Sequence, residues 1–243
     1  MFIYQKKILE NLNDIIDKEQ ENIIKAKKAF INAIENKNSI YVFGASHAGI
    51  LSQELFYRAG GLITINPIFT SDTMVNTSPI TRTSKMEQLE GYGDIIFETT
   101  DFKKDDLLLL HSVSGRNPLI IDLALKAKEF GLKTIAITNL EYSKEVKSRH
   151  SSGKNLYEIA DIVIDNHGIK GDAIVEVGQR KVGPSSTISA TFIANTIISE
   201  VALELYEKDF KYIPYFYSAN LDGTADKNKE LVNHFKDVIH YEF

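Results

Sequence analysis

Six consecutive residues, Ser112-Val113-Ser114-Gly115-Arg116-Asn117, set two hydroxyls, a glycine, a guanidinium and an amide directly before Pro118. Proline suits the first turn of a helix, where its missing N–H has no intrahelical partner to lose. Free amides and the helix dipole at such a start favour an anion. The chemistry suggested is a phosphate cradle. The plainer account is that Ser114 and Asn117 merely cap the helix, but capping uses one or two polar residues, not five of six.

Proton transfer has its own candidates. On a helix starting near His47, residues 47, 51, 54 and 58 share one stripe, so His47, Glu54 and Arg58 lie on one face. Glu54 is either half of an ordinary i,i+4 ion pair with Arg58 or a general base on the ligand side of the helix. Glu87 follows Ser84 by three within SKMEQLE, a capping-box pattern, and is the second candidate base. Ser148–Lys154 gathers two cations, His150 and three hydroxyls. Ser185, Ser186 and Thr187 open a long apolar segment and form a second possible anion contact. The Ser148–Lys154 cluster also reads as an ordinary solvated polar loop.

The elements that position these groups follow from apolar periodicity. Leu107–His111 is a short apolar run that fits a buried parallel strand. Pro118–Phe130 is a helix stopped by Gly131, and Lys133–Thr138 is a second strand, giving a right-handed βαβ unit. Ser39–Phe43 is the first core strand, leading through Gly44-Ala45-Ser46-His47 into a helix to about Ala59. Leu62–Phe69 is a strand whose Pro67 suits an edge, and Ile159–Asp165 is the last parallel strand. Ile174–Val177 reads as a short further strand before a basic turn at Arg180-Lys181. Residues 1–37 spell one or two amphipathic helices through Ile8, Leu12, Ile15, Ile16, Ile23, Ile24, Phe30 and Ile34. Gly183–Thr187 starts a helix to about Tyr206, and Asn228–His240 is a terminal amphipathic helix.

The run S-x-S-G-x-N after a strand, closing on G-L-K-T-I-A-I-T-N, resembles the sugar isomerase (SIS) domain, a family that binds phosphorylated sugars. Further segments extend the likeness in order along most of the 243 residues: Phe43–His47, Glu54–Gly61, Glu90–Gly93, Ser148–Lys154, Asp161–Asn166, Gly171–Ala173 and Ser218–Gly223. They are similar to a full-length branch related to phosphoheptose isomerase. The resemblance implies one domain over 1–243, with an N-terminal helical extension (about 1–37) and a C-terminal helix (about 225–240). The expected fold is a three-layer α/β/α sandwich on a five-stranded parallel sheet of flavodoxin-like order. It implies a sugar phosphate as ligand, no cofactor, and a homodimer or homotetramer in which a glutamate at the position of Glu87 can enter a neighbouring subunit's site. Such an isomerase would hold an open-chain sugar phosphate with Ser46, Ser112, Ser114, Gly115, Arg116, Asn117 and Ser185–Thr187. Glu54 or Glu87 would carry the proton between C2 and C1, and His47 or His150 would assist ring opening. The alternative is a sensor or scaffold that binds phosphosugar without catalysis. One departure bears on this: where the family's first loop ends in a ligand-touching serine, this chain has Ala48, with Ser46 two residues earlier.

Composition narrows the rest. There are 28 basic and 33 acidic residues, a formal charge of −5, and no basic run, which argues against nucleic acid. No cysteine is present, so disulfides and thiolate metal sites are out, and the histidines at 47, 111, 150, 167, 234 and 240 lack metal-ligand spacing. No secretory signal or membrane-length apolar run is read from the sequence, giving a cytoplasmic expectation. Gly44-Ala45-Ser46-His47-Ala48-Gly49 lacks the middle glycine of a dinucleotide fingerprint.

Overall fold

The computed structural model describes residues 1–242. Five parallel strands form the central sheet: β1 (Ile40–Gly44), β2 (Ile65–Pro67), β3 (Leu107–His111), β4 (Lys133–Thr138) and β5 (Ile162–Asp165), in spatial order β2-β1-β3-β4-β5. This is the expected flavodoxin-like order, with Pro67 on the edge strand, where its missing N–H costs no ladder bond.

Alternation along the strands divides the core between the two faces. Val42, Leu107, Leu109, Ile135, Ile137 and Ile164 face one side, against α2 (Gln20–Glu35), α3 (Ile50–Leu55) and α8 (Ser186–Glu207). Tyr41, Phe43, Leu108, Leu110 and Ala136 face the other, against α5 (Tyr92–Thr99) and α6 (Pro118–Phe130). The side-chain period of two therefore builds both layers of the sandwich from one set of strands. Each buried leucine of β3 replaced by alanine would cost about 2–5 kcal/mol.

Helix α1 (Ile3–Lys18) and α2 meet at Glu19, and their buried stripe, including Ile15, Ile23, Phe30 and Ile34, lies on the sheet side. Ile16 and Ile24 point outward instead. Helix α8 is long and apolar enough to cross a membrane by length and composition, which corrects the expectation that no segment is. In the fold it is a core helix that buries Ile193, Ile197, Val201 and Leu205.

Several elements are shorter than the sequence predicts. The segment after β1 is a 3-10 turn, Ser46–Gly49, followed by an α3 that stops at Leu55, so Arg58 lies beyond the helix. Strand β2 is three residues rather than eight, and β5 starts at Ile162 because Leu156–Glu158 forms a 3-10 turn. The predicted Ser84–Glu90 helix is α4, Thr81–Glu87, which puts Ser84 inside the helix rather than at its cap. After β4 the chain forms α7 (Leu140–Glu145). Arg180 and Lys181 begin β7 (Arg180–Pro184), antiparallel to β6 (Ala173–Val177), rather than forming the turn. The terminal helix is α9, Ala225–His234, with a 3-10 turn over Lys236–Val238.

Candidate functional site

In an open α/β sheet, ligands bind at the carboxyl ends of the strands where strand order reverses. For the order β2-β1-β3-β4-β5 that place lies between β1 and β3, and a cavity of about 180 Å³ occupies it. Ala45, Ser46, His47 and Ala48 line it from the turn after β1. His111, Ser112, Val113 and Ser114 line it from the end of β3, with Asn117, Leu119 and Ile120 from the start of α6 and Glu87 from the end of α4. A larger cleft of about 520 Å³ lies between α1 and the β6–β7 hairpin, away from the α6 N-terminus.

The turn after β1 is tight because Gly44 makes it so. A Cβ on Gly44 would stand 2.5 Å from the Ala48 carbonyl oxygen. That carbonyl accepts a hydrogen bond from His111 Nδ1 at 3.0 Å, which leaves the imidazole's Nε2 as an unprotonated acceptor with no partner in the protein. Burial pushes the His111 pKa down, so the ring is neutral. Ser46 adopts a left-handed backbone (φ 52°), and its hydroxyl bonds Glu87 Oε1 and Thr83 Oγ1.

The start of α6 is open to the cavity. Asn117 is the N-cap, yet its side chain makes no capping bond. Arg149 Nη1 donates to Asn117 Oδ1 at 2.9 Å, which fixes the amide and turns Nδ2 toward Glu87 Oε2, 2.8 Å away. The capping account of this loop therefore fails for Asn117. Gly115 takes positive φ (58°) and donates its N–H to Ser112 Oγ at 3.2 Å. Ser143 Oγ donates to the Ser114 carbonyl at 2.9 Å. These bonds hold the loop so that Ser112 and Ser114 line the cavity.

Of the predicted site residues, Ser46, His47, Glu87, Ser112, Ser114 and Asn117 converge here, and Glu87 does so in its own chain rather than as a cap carboxylate. The others lie elsewhere. Gly115 and Arg116 follow the lining serines but do not themselves line the cavity. Glu54 is held by Arg58 and by Asn195 Nδ2 (3.4 Å), off the cavity wall. His150 accepts the Ser152 N–H at Nδ1 (3.0 Å) and donates from Nε2 to Asp122 Oδ1 (2.8 Å). Asp122 also accepts the Gly91 N–H at 2.7 Å, so His150 fastens its loop to α6 and the start of α5.

The mouth of α8 is filled by the chain itself. Asp172 Oδ1 accepts the N–H groups of Ser185 (3.0 Å) and Ser186 (2.7 Å), and Oδ2 accepts the Ser186 hydroxyl at 2.8 Å. The anion expected at Ser185–Thr187 is thus a carboxylate of the protein. Sequence reasoning missed Asp172, His111 and Thr83. Only Asp172 carried a local signal, as an acid after a glycine in a turn; the other two depend on contacts 37 and 63 residues away.

The doubly wound sheet with a serine-lined helix start at its switch point defines the class. The model of the SIS domain matches residues 3–139, more than half of the chain, and the protein belongs to that family. Within it, the chain is 51% identical over 240 residues to a UPF0309 protein of Oceanobacillus iheyensis, covering 98% of this chain and 97% of that one. It is 48% identical to a UPF0309 protein of Shouchella clausii, with the same coverage. The fold is shared with a phosphoheptose isomerase from Francisella tularensis (TM-score 0.53, 16% identity, 82% of this chain and 94% of that one). It is shared equally with a phosphoheptose isomerase from Neisseria gonorrhoeae (TM-score 0.55, 13% identity, 81% and 93%).

Proposed function

We propose that the protein binds an open-chain sugar phosphate in the cavity between β1 and β3 and acts as a sugar-phosphate isomerase-type enzyme. The observation that carries the reading is the uncapped start of α6 opening into a cavity lined by Ser112 and Ser114, with a carboxylate, Glu87, and an imidazole, His47, on its walls. The helix amides and hydroxyls suit the phosphate. Glu87 and His47 are the groups able to move protons between C2, C1 and their oxygens without a metal. Two solved neighbours are phosphoheptose isomerases, which makes aldose, ketose and amino-sugar phosphates the compounds to try first. A homodimer or homotetramer in the cytoplasm completes the reading; the exposed Phe2, Ile3, Leu9 and Ile16 of the α1 region offer apolar surface for subunit contact.

The test is a thermal-shift panel of these phosphates repeated on Ser114→Ala. A ligand at 100 times its dissociation constant adds about 2.7 kcal/mol of apparent stability. One compound shifting the wild type and not the variant supports the site, and NMR then follows its conversion. A second reading, binding without catalysis, is favoured by Glu54 standing off the cavity and by the missing hydroxyl at Ala48. It holds if a bound compound is not turned over; if it is, loss of turnover in Glu87→Gln assigns the base.

A further inference from the structure

The carboxylate of Glu87 stands where an anionic ligand should go. Ser46 and Asn117 Nδ2, a hydroxyl and an amide donor beside the open start of a 13-residue helix, are both spent on its two oxygens. An acid at the start of a helix is the protein's own version of a bound anion. Two anions cannot share those donors, because like charges a few ångströms apart in a partly buried site repel strongly.

The segment that carries Glu87 is built to move. Between Ser71 and Glu90 only Thr73 and Thr83 are buried. Sparse burial of this kind marks segments with low local opening free energy. The Arg82–Asp72 ion pair (3.2 Å) lies within the segment, whose far end is anchored to the body of the protein where Glu90 accepts the Ser151 N–H at 3.1 Å. The contact of Glu87 with Asn117 and that of Glu87 and Thr83 with Ser46 are what join α4 to the two ligand loops.

We propose that Glu87 is a built-in occupant of the anion subsite: phosphate displaces its carboxylate from Ser46 and Asn117, loosening α4 and freeing the carboxylate to act as the base at the sugar end of the cavity. The inference rests on the phosphate site described above. It gives the site a selectivity: inorganic phosphate only exchanges one anion for another, whereas a sugar phosphate brings additional hydroxyl contacts that favour the exchange. Ligand binding and the position of α4 are then one equilibrium, in which the liganded state has lost the Glu87 contacts.

The experiment is calorimetric titration of inorganic phosphate into wild type and Glu87→Gln, with trypsin cleavage after Arg82 and Lys85 followed at saturating phosphate. Glutamine keeps the shape and can still bond Ser46 while removing the charge. Displacement requires that Glu87→Gln bind phosphate at least tenfold more tightly than wild type and that phosphate speed cleavage of the wild-type α4. Equal or weaker binding by Glu87→Gln, with wild type binding phosphate normally, overturns the displacement and leaves the site standing. If neither protein binds phosphate and no sugar phosphate shifts the wild type, the site itself is refuted, and the inference with it.

Discussion

Asp172 should be among the most costly surface-loop residues to replace, and its role can be worked from its partners. Its carboxylate accepts two backbone N–H groups and the Ser186 hydroxyl at the start of α8, next to Ser185 and Ser186, which are both buried. Removing a carboxylate cap costs about 1 kcal/mol. Leaving a buried N–H and a buried hydroxyl without partners adds about 1 kcal/mol each at the low end. Asp172 also sits at φ 67°, where aspartate and asparagine are tolerated and alanine loses about 1 kcal/mol more. Asp172→Ala should therefore be destabilised by about 4 kcal/mol, or roughly 10 °C in Tm for a chain of this length. Asp172→Asn, which keeps one acceptor oxygen and the left-handed backbone, should lose about 1 kcal/mol through the missing charge at the helix start. Urea denaturation followed by far-UV circular dichroism measures both. A small anion such as formate should raise the Tm of Asp172→Ala more than that of wild type, because the vacated helix mouth is then an anion site. An alanine variant within about 1 kcal/mol of wild type, or an asparagine variant as unstable as alanine, would refute the capping account.

Two further perturbations test the frame around the site. His167 Nε2 meets Glu19 at 3.0 Å where the α1–α2 junction reaches the end of β5. The Glu19 bond, with help from Asp165 and against burial and Lys18, holds the imidazole above its ordinary pKa. Burial would raise Glu19, but its bonds to His167 and Asn22 outweigh that and bring it below the usual value. A raised base stabilises fully below its unfolded value and loses this as pH rises through the folded one; a lowered acid stabilises above its unfolded value and loses this as pH falls. The pair should contribute most between about pH 4.5 and 6.5, on the order of 1 kcal/mol, and His167→Gln should flatten the wild-type decline in urea midpoint above that window. Gly93→Ala should cost at least about 3 kcal/mol, because its Cβ would fall 2.3 Å from the Leu119 carbonyl and 2.5 Å from Asp122 Cβ where α5 crosses α6; a near-wild-type thermal midpoint would contradict that close approach.

The sheet was legible because β3 is a continuous apolar run, β4 a short β-branched one, and the helix between them is bounded by Pro118 and Gly131, each signal acting within a few residues. Element ends were less legible where the chain turns by backbone geometry. The helix after β1 looked long because His47, Leu51, Glu54 and Arg58 keep helical spacing, yet it stops at Leu55, and Arg58 still reaches Glu54 from beyond the helix. Helix α5 carries Gly93, a poor helix former in isolation, retained where two helices approach too closely for a side chain. That Ser112, Ser114 and Asn117 share one site could be read from their spacing in the β3–α6 loop. That Glu87 meets Ser46 and Asn117 could not, since the three are 30 and 41 residues apart and are joined only by the packing of α4 over the strand ends.

The substitution at position 48 has a structural counterpart that ties these observations together. Ala48 contributes its carbonyl, not a side chain: it faces Gly44 at a distance only glycine permits and receives His111 Nδ1. The turn is thereby stapled to β3, and the hydroxyl available to the cavity comes from Ser46, whose left-handed backbone directs it at Glu87. The first-loop hydroxyl of this chain, at position 46, is thus in contact with α4. A ligand that uses the hydroxyl of the first loop must compete with Glu87 for it. On the proposed displacement, this first-loop contact is what couples α4 to the contents of the cavity.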